Sequence, residues 1–365
     1  MKLRCERDLL IEALGTAGRA TGRSGTAPVL SGVRLEVNGD GLRATGTDLD
    51  LTISVEATVA GFGDGVMVAP GRLVTDIVRA LDPGAVTLES DDDDLRVVSG
   101  RSQFSVRTHP AEDFPRVARP GGDAVTLPAT GLADALRQVV RAASTEDSRP
   151  ILTGVLMAAE PGGLRMVATD SYRLAVRDLP GVGVLAEGQK VLIPSRALSE
   201  LQRLLAGGAS DVSLRLGSHD ATFEVGHVQL TTRLIEGEFP NYRQLIPSSY
   251  PNRLVVGREM LLDAVRRVKL LARDATTPVR ISLAADRIEL TVITADYGQA
   301  TEDVDAKYDG SEMVVAFNPA YLMEGIEALS GDEISLETVD ALKPATIRPT
   351  EGDEYLYLLM PVRVS

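Results

Sequence analysis

The residues best suited to chemistry in this chain are three aspartates. Asp48, Asp50 and Asp170 each stand close behind a strand-like run, and a carboxylate trio is the donor set with which a Mg²⁺-dependent nuclease would hold its ion. The same Thr-Asp step, Thr47-Asp48 and Thr169-Asp170, also suits an Asx or Ser/Thr turn, in which a short polar side chain bonds its own backbone two residues on. The turn accounts for both copies without an ion. Asp91, Asp92, Asp93 and Asp94 read as a hairpin tip in solvent. Three histidines, His109, His219 and His227, and the single Cys5 match no zinc spacing. Neither a Gly-x4-Gly-Lys-Ser/Thr phosphate loop nor a Gly-x-Ser-x-Gly elbow occurs. Gly61-x-Gly63-x-Gly65 sits in a turn ahead of a strand rather than opening a helix, so it is no dinucleotide fingerprint. With no His-, Cys- or Lys-centred constellation, the chain reads as a binder rather than an enzyme. No catalytic residue, metal or cofactor is expected.

The elements that position these residues repeat. Pro70, Pro194 and Asn318 are 124 residues apart twice over, and so are Leu81, Leu205 and Leu329. That period is too long for a solenoid unit and is the size of a whole domain. An amphipathic opener recurs with Glu12-Ala13-Leu14, Asp134-Ala135-Leu136 and Asp263-Ala264-Val265. A proline then leads a strand-like run at Pro28, Pro150 and Pro278. Two copies close alike, with Gln103-Phe104, Arg107 and Phe114-Pro115 answered by Gln229-Leu230, Arg233 and Phe239-Pro240. The third copy is the most diverged and lacks the Thr-Asp step.

Apolar spacing at i, i+3, i+4 and i+7 predicts helices over 7–20, 71–81, 130–144, 195–205, 258–272 and 319–329. Period-2 runs at 33–37, 86–89, 95–98, 212–216 and 288–292 predict half-buried antiparallel strands. Residues 38–41 and 162–163 carry hairpin-turn chemistry. Two helices and many strands per repeat make an α+β unit with helices covering one sheet face. The expected domains are 1–121, 122–250 and 251–365, with linkers rich in Pro, Gly, Ser and polar residues.

Composition sets outer limits. Of 365 residues 44% are hydrophobic and 25% charged, ordinary values for a globular protein. No apolar run is long enough to cross a membrane. The charged N-terminus reads poorly as a signal peptide, and a lone cysteine suits a reducing compartment, so a cytoplasmic location is expected. Cys5 reads as a small buried residue of a first strand. A net charge of −14 excludes nucleic-acid binding by general basicity.

The chain resembles the bacterial DNA polymerase III beta subunit family, the β sliding clamps, along its whole length. The segments that carry the resemblance are 46–49 (Gly-Thr-Asp-Leu), 168–174 (Ala-Thr-Asp-Ser-Tyr-Arg-Leu), 238–242 (Glu-Phe-Pro-Asn-Tyr), 317–322 (Phe-Asn-Pro-Ala-Tyr-Leu) and 360–363 (Met-Pro-Val-Arg). The resemblance implies three clamp domains and a head-to-tail homodimer, a six-domain ring whose helices line a hole for double-stranded DNA. It implies a processivity factor without catalysis, loaded by a clamp loader. Its partners would be the polymerase III alpha subunit, other polymerases and repair proteins, tethered by short motifs and with no membrane involved.

The predicted helices agree with such a lining. They hold twelve cationic residues against nine acids, a net +3 that leaves −17 for the rest of a chain whose total is −14. A weakly basic lining attracts phosphates without anchoring them. Arg19, Arg23, Arg72, Arg79, Arg137, Arg141, Arg196, Arg203 and Arg266 are the expected DNA contacts, and the last helix carries no cation at all.

Carried over residue by residue, the family's peptide cleft would comprise Leu152, Thr169, Ser171, Tyr172, Arg173, Leu174, Pro240, Gln244, Leu245, Thr276, Asn318, Tyr321, Leu342, Met360, Pro361, Val362 and Arg363. Apolar walls, an adaptable methionine and a few polar groups suit a short motif with aliphatic and aromatic anchors. Gln244 and Thr276 depart from the Arg and Phe often found there, which keeps a specialised or drug-tolerant paralogue in view. The dimer seam would centre on Phe104, Leu270 and Leu271, with Arg101 and Arg107 facing Glu302, Asp303 and Asp305.

Overall fold

The computed structural model describes every residue except 23–26, 92, 118–120, 275, 353 and 364–365. Its backbone groups into two compact units, Met1–Thr130 with Ser199–Leu234, and Gly131–Leu198 with Ile235–Ser365. Six α-helices occur among the described residues: α1 (Arg7–Gly18), α2 (Gly71–Ala80), α3 (Ala129–Val139), α4 (Ser195–Leu205), α5 (Arg258–Lys269) and α6 (Pro319–Ala328). α2, α4 and α6 begin at 71, 195 and 319, so the 124-residue phase survives folding.

Local chemistry explains the helices. α6 starts where Pro319 presets the helical φ and the Asn318 carboxamide accepts from the backbone N–H groups of Ala320 (2.9 Å) and Tyr321 (3.3 Å). α1 buries Leu10, Ala13, Leu14 and Ala17, and each fully buried leucine contributes about 1.5–3 kcal/mol. α1 also packs on the sheet because residue 46 is glycine: a Cβ there would lie 2.1 Å from the Ala17 carbonyl oxygen.

In the first unit a five-stranded antiparallel sheet has the order Ala60–Gly63, Lys2–Glu6, Ala85–Asp91, Asp94–Ser99, Ser102–Arg107. An eight-stranded sheet runs Ala124–Pro128, Asp211–Leu216, Asp220–Val225, Val228–Arg233, Leu51–Thr58, Gly41–Thr47, Gly32–Asn38, Gly65–Pro70. Strands of the first and second repeats join in it, with Leu230 opposite Ile53. In the second unit one twelve-stranded sheet carries strands of the second and third repeats, joined where Arg173–Pro180 pairs with Tyr355–Leu359. This continuity is why contacts divide the chain in two although its sequence repeats three times: the middle repeat lends one half to each sheet.

Three local expectations are corrected. Pro28–Ser31 and Pro150–Thr153 are 3-10 turns that precede the strands, whereas Val279–Ala284 is a strand as expected. The fixed proline φ suits a tight turn, and the Ser31 and Thr153 hydroxyls close each one on the proline carbonyl. Gly61 and Gly63 lie in an edge strand rather than a turn, and a Cβ on Gly61 would sit 1.8 Å from the Gly39 carbonyl oxygen. The turn near 162 is made by Pro161 and Gly162, while Gly163 already belongs to the next strand. Cys5 is buried on the first strand.

Candidate functional site

The two Thr-Asp steps fold into the same turn. Asp48 Oδ1 accepts from the N–H groups of Asp50 and Leu51, and Leu49 adopts a φ of 82°. Asp170 Oδ1 accepts from Tyr172 and Arg173 N–H, and Ser171 has a φ of 80°. Thr47 and Thr169 each accept from the residue two positions on, and Thr169 also donates to the Arg173 carbonyl at 2.6 Å. Such side chains are structural acceptors. Among the described residues no group of three or more His, Cys, Asp or Glu side chains is arranged to hold a metal ion.

In the second unit the Asp170 turn becomes the anchor of a larger construction. Asp170 Oδ2 accepts from Arg173 Nε at 3.0 Å. The buried Arg173 guanidinium also pairs with Glu324 of α6 and donates to the Arg141 carbonyl. Its Cζ stands 4.3 Å from the Tyr321 ring centroid, and Tyr321 stacks on Tyr172 with centroids 6.4 Å apart. Burial pulls the Arg173 pKa down, but Tyr357 and Glu324 more than offset it and hold it above the ordinary arginine value. Tyr357 donates to the Tyr321 carbonyl, Met360 N–H donates to the Tyr172 carbonyl, and Val362 N–H donates to Ala316. Segments 169–174, 316–324 and 357–362 are thereby locked together.

The seventeen cleft candidates divide by burial. Leu152, Thr169, Arg173 and Leu174 are buried; Leu174 belongs to a core cluster with Leu156, Leu192, Tyr242 and Leu358. Tyr242 roots the turn that carries Gln244 and Leu245 on the surface. Asn318, Tyr321, Pro361 and Val362 are half-buried, and Ser171, Pro240 and Arg363 are exposed. Tyr172 (58%), Leu342 (66%), Leu245 (47%) and Met360 (37%) offer large apolar surface to solvent. Thr276 and Leu342 stand on separate Asp-capped turns built on Asp274 and Asp340. Sequence reading missed Glu324, Tyr357 and Arg149, which donates to Ser171 Oγ; only the fold brings them to the site.

The helix arginines are less bare than a charge count implies. Arg141 (3.2 Å) and Arg266 (3.1 Å) both pair with Glu327 of α6, and Arg137 donates to the Glu327 and Ala328 carbonyls. Arg19 and Arg203 share Glu200, and Arg79 lies 3.7 Å from Asp76. Arg72 and Arg196 are exposed, and Arg23 falls outside the described residues.

Of the seam candidates, Phe104 is 38% and Leu270 76% exposed, and Leu271 is half-buried. Arg101 is exposed, and Arg107 lies 3.3 Å from Asp94 on the neighbouring strand. Glu302 is held by two hydrogen bonds from Arg267, at 2.8 and 2.9 Å, so it is not an unengaged acid awaiting a partner; Asp303 and Asp305 are exposed. Arg267 lowers the Glu302 pKa. Ser102–Arg107 is the edge of its sheet, and residues 298–305 pair with a neighbour on one side only among the described residues.

Three family models match in sequence order: the DNA polymerase III beta subunit N-terminal domain over 1–118, its central domain over 126–241 and its C-terminal domain over 243–363. A beta sliding clamp of Streptomyces coelicolor is 34% identical, and one of Proteus mirabilis 33%, each alignment covering 100% of both chains. Among solved structures, a sliding clamp from Bartonella birtlesii bound to griselimycin superposes with a TM-score of 0.93 at 33% identity, covering 100% of both chains. The Bacillus subtilis sliding clamp gives 0.92 at 28% identity, again over 100% of both chains. The chain belongs to the DNA polymerase III beta subunit family, the bacterial β sliding clamps.

Proposed function

We infer that this protein is a DNA sliding clamp, a non-catalytic processivity factor. The observation that carries the reading is the match of three clamp domains in order along the chain. The domains are proposed as 1–121, 122–250 and 251–365, and the protein acts in the cytoplasm. The nuclease alternative finds no support, because Asp48 and Asp170 are acceptors within their own turns.

The assembly is a head-to-tail dimer. In the first two repeats the strand that follows the Thr-Asp turn is met by the last strand of the next repeat: Leu51–Thr58 by Val228–Arg233, and Arg173–Pro180 by Tyr355–Leu359. The third such edge, residues 298–305, is left for Ser102–Arg107 of a second copy. Phe104, Leu270 and Leu271 would form the apolar centre, with Arg101 and Arg107 near Asp303 and Asp305. A heterologous contact of this kind closes into a ring when the rotation per copy is right.

Duplex DNA passes through the ring with Arg19, Arg23, Arg72, Arg79, Arg137, Arg141, Arg196, Arg203 and Arg266 toward its phosphates. Polymerases, the clamp loader and repair factors dock short motifs on the surface around Tyr172, Tyr321, Leu245, Leu342 and Met360. The bound griselimycin in the Bartonella relative supports a ligand-binding surface in this fold. A specialised clamp with a narrowed motif range is favoured by two rim positions: Gln244 is exposed, and the Thr276 hydroxyl is turned onto Asp274.

The decisive test loads the protein onto nicked circular duplex with a clamp loader and ATP, then linearises the DNA. Protein that survives high salt on circles and leaves after linearisation is topologically bound. Loss to salt alone would reject the clamp reading.

A further inference from the structure

Resting on the clamp reading, we propose that Glu327 sets how firmly the lining grips duplex DNA, by standing in for a phosphate inside the protein. α6 is the one predicted lining helix without a cation. Its C-terminal end collects cations from two others. The Glu327 carboxylate accepts from Arg141 of the turn after α3 and from Arg266 of α5, and the Glu327 and Ala328 carbonyls accept from Arg137 of α3. The negative end of the α6 dipole points at the same place. Asp134 and Asp263 lie 3.7 and 3.2 Å from Arg137 and Arg266. Three arginines thus face three carboxylates, and the cluster is neutral as it stands.

The groups remain reachable. The side chains of Arg141, Arg266 and Glu327 are 54%, 46% and 31% exposed. A pair this open is held weakly against water and salt. A phosphate oxygen offers the same acceptor chemistry as the Glu327 carboxylate, so a passing backbone competes for Arg141 and Arg266 on near-equal terms. The arginines change partner rather than gain one, and no position along the duplex becomes a deep trap. Glu327 is a positioning residue for the arginines, not itself a DNA contact.

The test measures binding of a fluorescent linear duplex by anisotropy across a salt series, with the full chain. Glu327→Gln removes the competing charge. It should tighten binding roughly three- to tenfold at low salt and steepen the salt slope by about one to two, since each phosphate contact contributes ~0.9. Adding Arg266→Ala should cancel most of the gain. Glu187→Gln alters the same net charge at an exposed position elsewhere and should change little. Glu327→Asp, with a shorter reach, should shift binding the same way by less, and it serves if the glutamine variant folds poorly. The proposal is overturned if Glu327→Gln behaves like Glu187→Gln while Arg72→Ala still weakens binding. If Arg72→Ala and Arg266→Ala both leave wild-type affinity unchanged, the lining reading fails and takes the proposal with it.

Discussion

Tyr172→Ala separates recognition from folding. Tyr172 is 58% exposed and stacks on Tyr321, while its backbone, not its ring, holds the turn on Asp170. A tyrosine presents about 200 Å², so about 115 Å² of this ring is free to be covered by a docked motif. At roughly 25 cal/mol per Å² that surface contributes at most about 3 kcal/mol. Ordering of the peptide reduces the share seen as affinity to about 1.5–2.5 kcal/mol, roughly ten- to sixtyfold in Kd. The assay is fluorescence polarisation with a labelled peptide carrying aliphatic and aromatic anchors, paired with a thermal melt. Weaker binding with a melting temperature within about 2 °C of wild type supports the reasoning, since loss of such an exposed side chain costs about 0.5 kcal/mol or less. A Kd within twofold of wild type would refute the assignment of this ring to the docking surface.

Arg173→Ala should fail differently. It leaves the buried Asp170 carboxylate and the partly exposed Glu324 without their cation, a loss of about 3–4 kcal/mol that a melt would register as a fall of several degrees along with weakened peptide binding. Arg107→Glu should raise the dimer dissociation constant, checked by light scattering at nanomolar concentration; unchanged mass would count against the proposed seam. Cys5 is buried, and burial pushes its thiol up to about 11 from 9.0. It should resist thiol reagents at pH 8 until denaturant is added. Because folding favours the protonated thiol, its contribution to stability is complete below pH 9 and declines as pH rises towards about 11, which denaturant titration at pH 8 and pH 10.5 would reveal.

Much of the architecture was legible because local rules govern it. The helices at 71, 195 and 319 announce themselves by apolar spacing and by proline or serine entry, and both signals are read within a single turn. The Thr-Asp turns were legible for the same reason: donor and acceptor lie within four residues. The proline runs at 28 and 150 misled because a proline φ suits a 3-10 turn as well as an extended strand. For the proposed cleft, the family motifs nominate candidate residues but say nothing of which are buried and which exposed. Leu174 and Tyr172 are two residues apart, yet one is core and the other surface.

What sequence alone determined is the threefold repeat, the α+β character, the turn chemistry and the small cationic surplus of the helices, all set by neighbours along the chain. What the tertiary structure decided is partnership at a distance. Glu327 meets Arg141 across 186 positions and Glu324 meets Arg173 across 151, so no local pattern marks either acid. The surplus charge of the helices is therefore a property of composition, and how much of it is already paired with acids is a property of the fold. An ion pair is set by where two side-chain ends come to rest, and that is decided by how sheets and helices pack rather than by the spacing of residues.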